Sequence, residues 1–341
     1  MKKPLPLLLC LLGGLIGGLL CSSLYDRYLN PEVCFFARAA AASDQWAAQL
    51  RQSPEPCIIW AGGSEVRSGI DPQQLAESYG IRSVNAAGQA GFGFPANLSL
   101  ALPYLRKGDT LIFSCLGMDE LYTTGAKFAW ERLGRTLFDS GLVACDKETL
   151  RKIFCGNSGE FCMHLSKRLV HPLQKPYKYD NISVIHPSGW MDIRSDELQG
   201  TPVPCLGDLR GMNFPRLSEA YCRQVRTMKA YCEARGVKIA CMMPVNYVAA
   251  SDRPLKQWLV LQHLQLGVPV LRDYRFGCEP DVRLFSDFVG HLNAKGVAEQ
   301  TQILGRALRN NDWWTERELI STLRSQGWNE QGCWVGRRFF Y

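Results

Sequence analysis

Short apolar runs bounded by turn residues alternate with helix-length stretches, and that rhythm restricts the chain to folds built on a parallel sheet. The first run, Cys57-Ile58-Ile59-Trp60-Ala61, is enclosed by Pro56 and Gly62 and reads as a buried strand. The pattern predicts a helix over 73–79, a strand over 82–86, a helix over 95–105 and a strand over 110–115. Parallel neighbours need a crossover between them, and helices of this length supply right-handed ones. The rhythm resumes late in the chain, with a helix over 217–235 closed by Gly236, a strand over 237–244, a helix over 255–266, a short strand over 268–271 and a last core helix over 294–308. The expectation is an α/β domain over 56–309: helices on both faces of a parallel sheet, in three layers.

Between the two halves, residues 122–215 are rich in turn residues and lose the alternation, which marks a long insertion of the kind that builds lids or substrate walls. Residues 26–55, with an alanine-rich helical stretch, join the domain to the N-terminus, and 310–341 form a C-terminal extension. That extension combines an amphipathic stretch over 315–326 with Arg337, Arg338, Phe339, Phe340 and Tyr341, suited to packing on the domain or to an anionic membrane interface.

Residues 1–25 carry Lys2 and Lys3 followed by an uncharged Leu- and Gly-rich run from Pro4 to Tyr25. About 20 apolar residues suffice to cross a bilayer as a helix, and flanking lysines stay on the cytoplasmic side. The leader therefore reads as a membrane anchor that places the domain outside the cytoplasm, or as a signal peptide whose removal releases it.

The net charge of +7 is dispersed, without the dense basic stripe of a nucleic-acid binder, so no nucleic-acid partner is expected. Neither a P-loop nor a GxGxxG turn follows the first strand, which argues against a nucleotide-binding module. Of the 14 cysteines, Cys57, Cys115 and Cys241 lie in apolar runs as core thiols, while Cys155 and Cys162 could pair within the insertion. Their spacing with the five histidines forms no zinc pattern, and neither a metal nor a cofactor is implied.

Four stretches fall where a parallel sheet presents its C-terminal edge, where open α/β folds build their sites. Gly62-Gly63-Ser64-Glu65 follows the first strand, and its glycines permit a tight turn that presents the serine at the start of a helix. Asn85 to Gly91 follows the second strand, with Gly88 offering an amide that could approach a developing oxyanion. Leu116 to Glu120 follows the third, with Asp119 as a polar group for the same pocket. Ser286-Asp287-Phe288-Val289-Gly290-His291-Leu292-Asn293 precedes the last core helix, and its Asp can orient the His ring and stabilise the imidazolium. A serine needs such a base to become a nucleophile. His164, His171, His186 and His263 lack this setting.

In this order the four stretches resemble the SGNH (GDSL-like) hydrolase superfamily, including its membrane-anchored polysaccharide-modifying members. Gly62-Gly63-Ser64, Gly88, Gly117 to Glu120, and Asp287 with His291-Leu292-Asn293 correspond to its sequence blocks. The resemblance implies a flavodoxin-like SGNH fold, with Ser64, His291 and Asp287 as triad and Ser64, Gly88 and Asp119 around the oxyanion. It also implies an extracytoplasmic esterase or O-acyltransferase acting on a cell-surface carbohydrate, or, as the alternative, a noncatalytic binding or assembly protein of the cell envelope. Two departures stand out: Asp119 occupies the position nearest the usual asparagine donor, and Asp287 precedes His291 by four residues rather than three.

Overall fold

The computed structural model describes residues 8–14, 16–18, 31–89, 92–114, 178–205, 213–329 and 331–335. Its centre is a four-stranded parallel sheet of β1 (Ile58–Ala61), β2 (Ser83–Asn85), β3 (Thr110–Ser114) and β6 (Lys238–Met242), in the order β2-β1-β3-β6. The expected strand over 268–271 contributes a single parallel bridge, Val270 to Cys241, beyond β6. Pro269 interrupts the donor row there; the Leu271 amide still donates to the Cys241 carbonyl at 2.8 Å, and Leu271 also bridges Trp313.

Side chains alternate across this sheet because successive residues of a strand point to opposite faces. Ile59, Ala61, Leu111, Phe113, Ile239 and Cys241 bury into one hydrophobic cluster, and Trp60, Ile112, Ala240 and Met242 into another. Burial on both faces explains why the strands read as continuous apolar runs. The first cluster receives α4 (Phe94–Ala101), α6 (Glu219–Glu233), α7 (Arg253–Gln265) and α9 (Glu316–Ser325); the second receives α3 (Pro72–Tyr79) and α8 (Ala294–Arg309). The helices begin where capping chemistry allows: Asp71, Ser218, Asn293 and Thr315 each accept a first-turn amide through the side chain.

Residues expected to join the leader to the domain form α1 (Pro31–Leu50), which also packs on it. Trp46 Nε1 donates to the Ser83 carbonyl at 2.8 Å, Ser43 Oγ donates to the Asn85 carbonyl at 2.7 Å, and Phe35 and Phe36 are buried. The described part of the insertion comprises α5 (Lys178–Ile182) and an antiparallel hairpin of β4 (Ser183–Ile185) and β5 (Met191–Ile193). A second small ladder pairs β7 (Asn246–Tyr247) with β8 (Cys278–Glu279) beside the loop that carries Asp287 and His291.

Of the leader, residues 8–14 and 16–18 are helical, and Leu8, Leu9, Leu11, Leu12 and Ile16 are each at least 50% exposed. Among the described residues no helix is long and apolar enough to cross a membrane. Cys57 and Cys241 are buried as expected, and none of the nine described cysteines forms a disulfide with another described residue. Cys115, Cys155, Cys162, His164, His171 and the 336–341 end of the chain lie outside the described residues.

Candidate active site

The chain leaves β1 through Gly62 and Gly63 and enters a single helical turn, α2 (Ser64–Arg67). A Cβ on Gly62 would lie 2.5 Å from Val66 Cγ2 and 3.0 Å from Ser114 Cβ, so only glycine lets this turn close against the end of β3. Gly63 caps the turn, its carbonyl accepting from the amides of Val66 and Arg67. Ser64 thus stands between the C-terminal ends of β1 and β3, where strand order reverses and open sheets form a crevice.

The second part of the site comes from the loop before α8. Asn293 caps that helix through Gly296 N at 3.1 Å, while its side-chain amide donates to the carbonyls of Arg283 and Phe285. A bridge between Phe285 and Leu292 closes the base of the loop, and the Ser286 amide donates to the His291 carbonyl at 2.9 Å. Within it, His291 N donates to Phe288 O at 3.0 Å. This internal turn takes up the four-residue spacing and brings both side chains to the same side of the loop.

The result is a continuous relay. His291 Nε2 lies 2.8 Å from Ser64 Oγ, and His291 Nδ1 lies 2.8 Å from Asp287 Oδ1. With Asp287 accepting from Nδ1–H, Nε2 is left as an acceptor for the serine proton. Burial pushes the Asp287 carboxyl up, but the hydrogen bond and charge of His291, followed by those of Lys178, outweigh it and hold the group at about 2. Asp287 is therefore a carboxylate at neutral pH.

Two insertion residues complete the back of this relay. Lys178 Nζ lies 3.0 Å from Asp287 Oδ2 and 2.9 Å from Glu197 Oε2. Tyr179 OH is 3.5 Å from His291 Nδ1, and its ring packs edge-on to the imidazole at a centroid distance of 5.9 Å. Burial, then the charge of Asp287, raises the Tyr179 phenol, so it remains neutral. The Phe288 ring, 54% exposed, borders the other side of His291 at 5.3 Å.

Glu65, the residue after the serine, points inward. Its Oε1 accepts from Gly63 N at 3.0 Å, and burial raises its carboxyl above the usual range despite that bond and another to Ser114. Arg67, at the far end of α2, is buried and donates to Ser43 Oγ and to the carbonyls of Asn85, Ala87 and Gly189. One guanidinium thereby ties α1, the edge of the sheet and the insertion hairpin beneath the turn that carries Ser64.

The expected oxyanion groups fare differently. The Ser64 amide opens α2 and has no hydrogen-bond partner among the described residues. The Gly88 amide instead donates to the Gly62 carbonyl at 2.9 Å, extending the β1–β2 ladder, so it is already occupied. Glycine is needed at 88 for packing: a Cβ there would meet Asn97 Oδ1 at 2.6 Å and Leu100 Cδ1 at 2.8 Å. Asp119 lies outside the described residues.

The remaining described histidines sit apart from this relay. His263 is fully buried, with Nδ1 donating to Leu259 O at 2.7 Å and Nε2 accepting from Tyr221 OH at 2.9 Å; burial lowers it to about 4. His186 stacks on Trp190 at 4.2 Å. Among the described residues no group of three or more His, Cys, Asp or Glu is placed to hold a metal.

No family model matches the chain, and neither a curated protein nor a solved structure does. Comparison assigns no family. The functional reading rests on the site itself.

Proposed function

We propose that the chain is a serine esterase or O-acyltransferase of the SGNH type, with Ser64 as nucleophile, His291 as general base and Asp287 as the group that orients it. The observation that carries this reading is the relay from Ser64 Oγ through His291 to Asp287, with both hydrogen bonds at 2.8 Å. Its supports are the buried carboxylate behind the ring, the position at the β1–β3 crevice and the match in order to the superfamily's sequence blocks.

The chemistry follows from the atoms present. Ser64 Oγ attacks an acyl carbonyl carbon while Nε2 takes its proton, and the imidazolium is stabilised by Asp287. The carbonyl oxygen becomes an oxyanion beside the Ser64 amide. The bond to the leaving alcohol breaks, and that alcohol leaves with the proton from Nε2. In the second half, water or an acceptor hydroxyl gives its proton to Nε2 and attacks the acyl carbon, releasing Ser64 Oγ, which regains a proton from the imidazolium. Water makes the protein an esterase; a sugar hydroxyl makes it a transferase.

The setting is proposed as extracytoplasmic and membrane-tethered, with a cell-surface carbohydrate as substrate. Support comes from the apolar leader preceded by Lys2 and Lys3 and from the exposed Leu8, Leu9, Leu11, Leu12 and Ile16. The carbohydrate follows from the resemblance alone.

A second reading, a noncatalytic envelope-binding protein of this fold, is favoured by one observation: the Gly88 amide is occupied, leaving Ser64 as the oxyanion donor among the described residues. Fluorophosphonate labelling together with turnover of acetylated oligosaccharides separates the two. The enzyme reading expects labelling that disappears in Ser64→Ala and in His291→Ala. Unlabelled wild type that still binds the oligosaccharide selects the second reading, and labelling unchanged in Ser64→Ala sinks the assignment.

A further inference from the structure

Asp287 has two oxygens, and they face different parts of the chain. Oδ1 meets the His291 ring from within the same loop, whereas Oδ2 meets Lys178 of the insertion at 3.0 Å. The carboxylate is 2% exposed, so neither contact is replaced easily by water. Lys178 is half exposed and also contacts Glu197 at 2.9 Å, and the hydrogen bonds to Glu197 and Asp287 raise its ammonium above the ordinary value, so it stays charged. A fixed positive charge therefore sits across the orienting carboxylate from the imidazole.

We propose that Lys178 is a positioning residue through which the insertion sets the working pH range of the Ser64–His291 pair. This rests on the enzyme reading given above. Lys178 holds the Asp287 carboxylate by its second oxygen and draws on the same negative charge that would stabilise the imidazolium. Its presence thus opposes the build-up of positive charge on the ring. Glu197 opposes this by sharing the ammonium. The other groups around the ring are Glu65 and Ser64 on α2, the neutral Tyr179 on α5, and Asn246 on β7, whose Oδ1 holds Lys256 at 3.1 Å. Of these, Tyr179 also hydrogen-bonds to Asp287, but it carries no charge.

The sign of the effect is opposite for the two charges. Replacing Lys178 by Met removes a cation that disfavours the protonated ring, so half-maximal activity on the acid side moves to higher pH. Replacing Glu197 by Gln frees Lys178 to act more fully on Asp287 and moves it to lower pH. For a unit charge two hydrogen bonds away and half screened by solvent, the first shift is about one pH unit; the second is smaller.

The test uses the full chain and follows the pH dependence of fluorophosphonate labelling at Ser64 in wild type, Lys178→Met, Lys178→Arg and Glu197→Gln. In parallel, nitrogen NMR follows the pH at which the His291 ring resonances move. The expected result is an upward displacement in Lys178→Met, a downward one in Glu197→Gln and a wild-type profile in Lys178→Arg, read identically by both methods. Unchanged profiles in Lys178→Met and Glu197→Gln, with unfolding temperatures as in wild type, overturn the proposal. If Ser64 is never labelled, the enzyme reading fails, and the NMR displacements alone decide whether Lys178 acts on the ring.

Discussion

Replacing Asp287 by Asn keeps the shape of the side chain and removes its charge, which isolates what the carboxylate does for His291. The wild-type oxygen lies 2.8 Å from Nδ1, and the ionised group is held at about 2, so its full charge faces the ring whenever Ser64 gives up its proton. At an effective dielectric of about 20 and a charge separation of about 4 Å, that charge stabilises the imidazolium by about 4 kcal/mol, or roughly a thousandfold in rate. The amide can also donate to Nδ1 and hold the ring in the tautomer that presents N–H to Ser64, taking the loss towards about ten-thousandfold. The assay is the second-order rate of fluorophosphonate labelling of the full chain, with thermal unfolding run beside it. A labelling rate within about tenfold of wild type, in a variant that unfolds at the wild-type temperature, would refute the role given to Asp287.

Three other outcomes follow from the same geometry. Asp287 sits at about 2 when folded, below its ordinary 3.8, so it contributes on the order of 2 kcal/mol above pH 3.8 that is lost as pH falls through about 2; urea unfolding should fall less steeply over that window in Asp287→Asn, and parallel curves would contradict this. Glu65 has the opposite sign, because burial raises it: wild-type stability should decline as pH climbs from 4.5 towards the raised value, and Glu65→Gln should remove that slope while keeping an acceptor for the Gly63 amide. Equal slopes for the two proteins in denaturant titrations would count against a buried, raised carboxyl. Arg67→Met takes the Arg67 donor from the carbonyls of Ala87 and Gly189, leaves the Asn85 carbonyl with Ser43 Oγ alone, and should cost about 3–5 kcal/mol, with faster amide exchange in the insertion hairpin; a loss below about 1 kcal/mol would show that the guanidinium is not the tie described.

The parts of the fold that were legible in the sequence are those set by local pattern. β1 and β3 are buried on both faces, so they appear as uninterrupted apolar runs, and the helices announce themselves through Asp71, Ser218, Asn293 and Thr315 at their starts. Ser64, Asp287 and His291 were legible for a related reason: each sits in a turn at a strand end or just before a helix, where open sheets build their sites. The 227-residue separation of Ser64 and His291 is closed by sheet order, which short motifs reflect only indirectly. Lys178 and Tyr179 gave no signal, because the insertion has no periodicity and Asp287 and His291, which they meet, lie more than 100 residues away. Glu65 reads in sequence as an ordinary acid beside a turn, and only the closeness of Gly63, Ser114 and the loop around Gly290 turns it inward. Gly88 misled for a geometric reason: whether its amide faces the crevice or the neighbouring carbonyl depends on strand register, and the row of bonds to β1 continues three residues past the end of β2 and takes up the donor.

The central claim is that Ser64 carries the acyl group during turnover, and rapid-quench mass spectrometry measures this directly. The full chain is mixed with an activated acetyl ester, stopped in acid within the first turnover and digested for peptide mapping. The expected result is a transient acetyl group on Ser64, discharged faster when an acceptor sugar is added and absent in His291→Ala. Turnover of the ester with no acetyl ever trapped on Ser64, or with the same burst in Ser64→Ala, would contradict it.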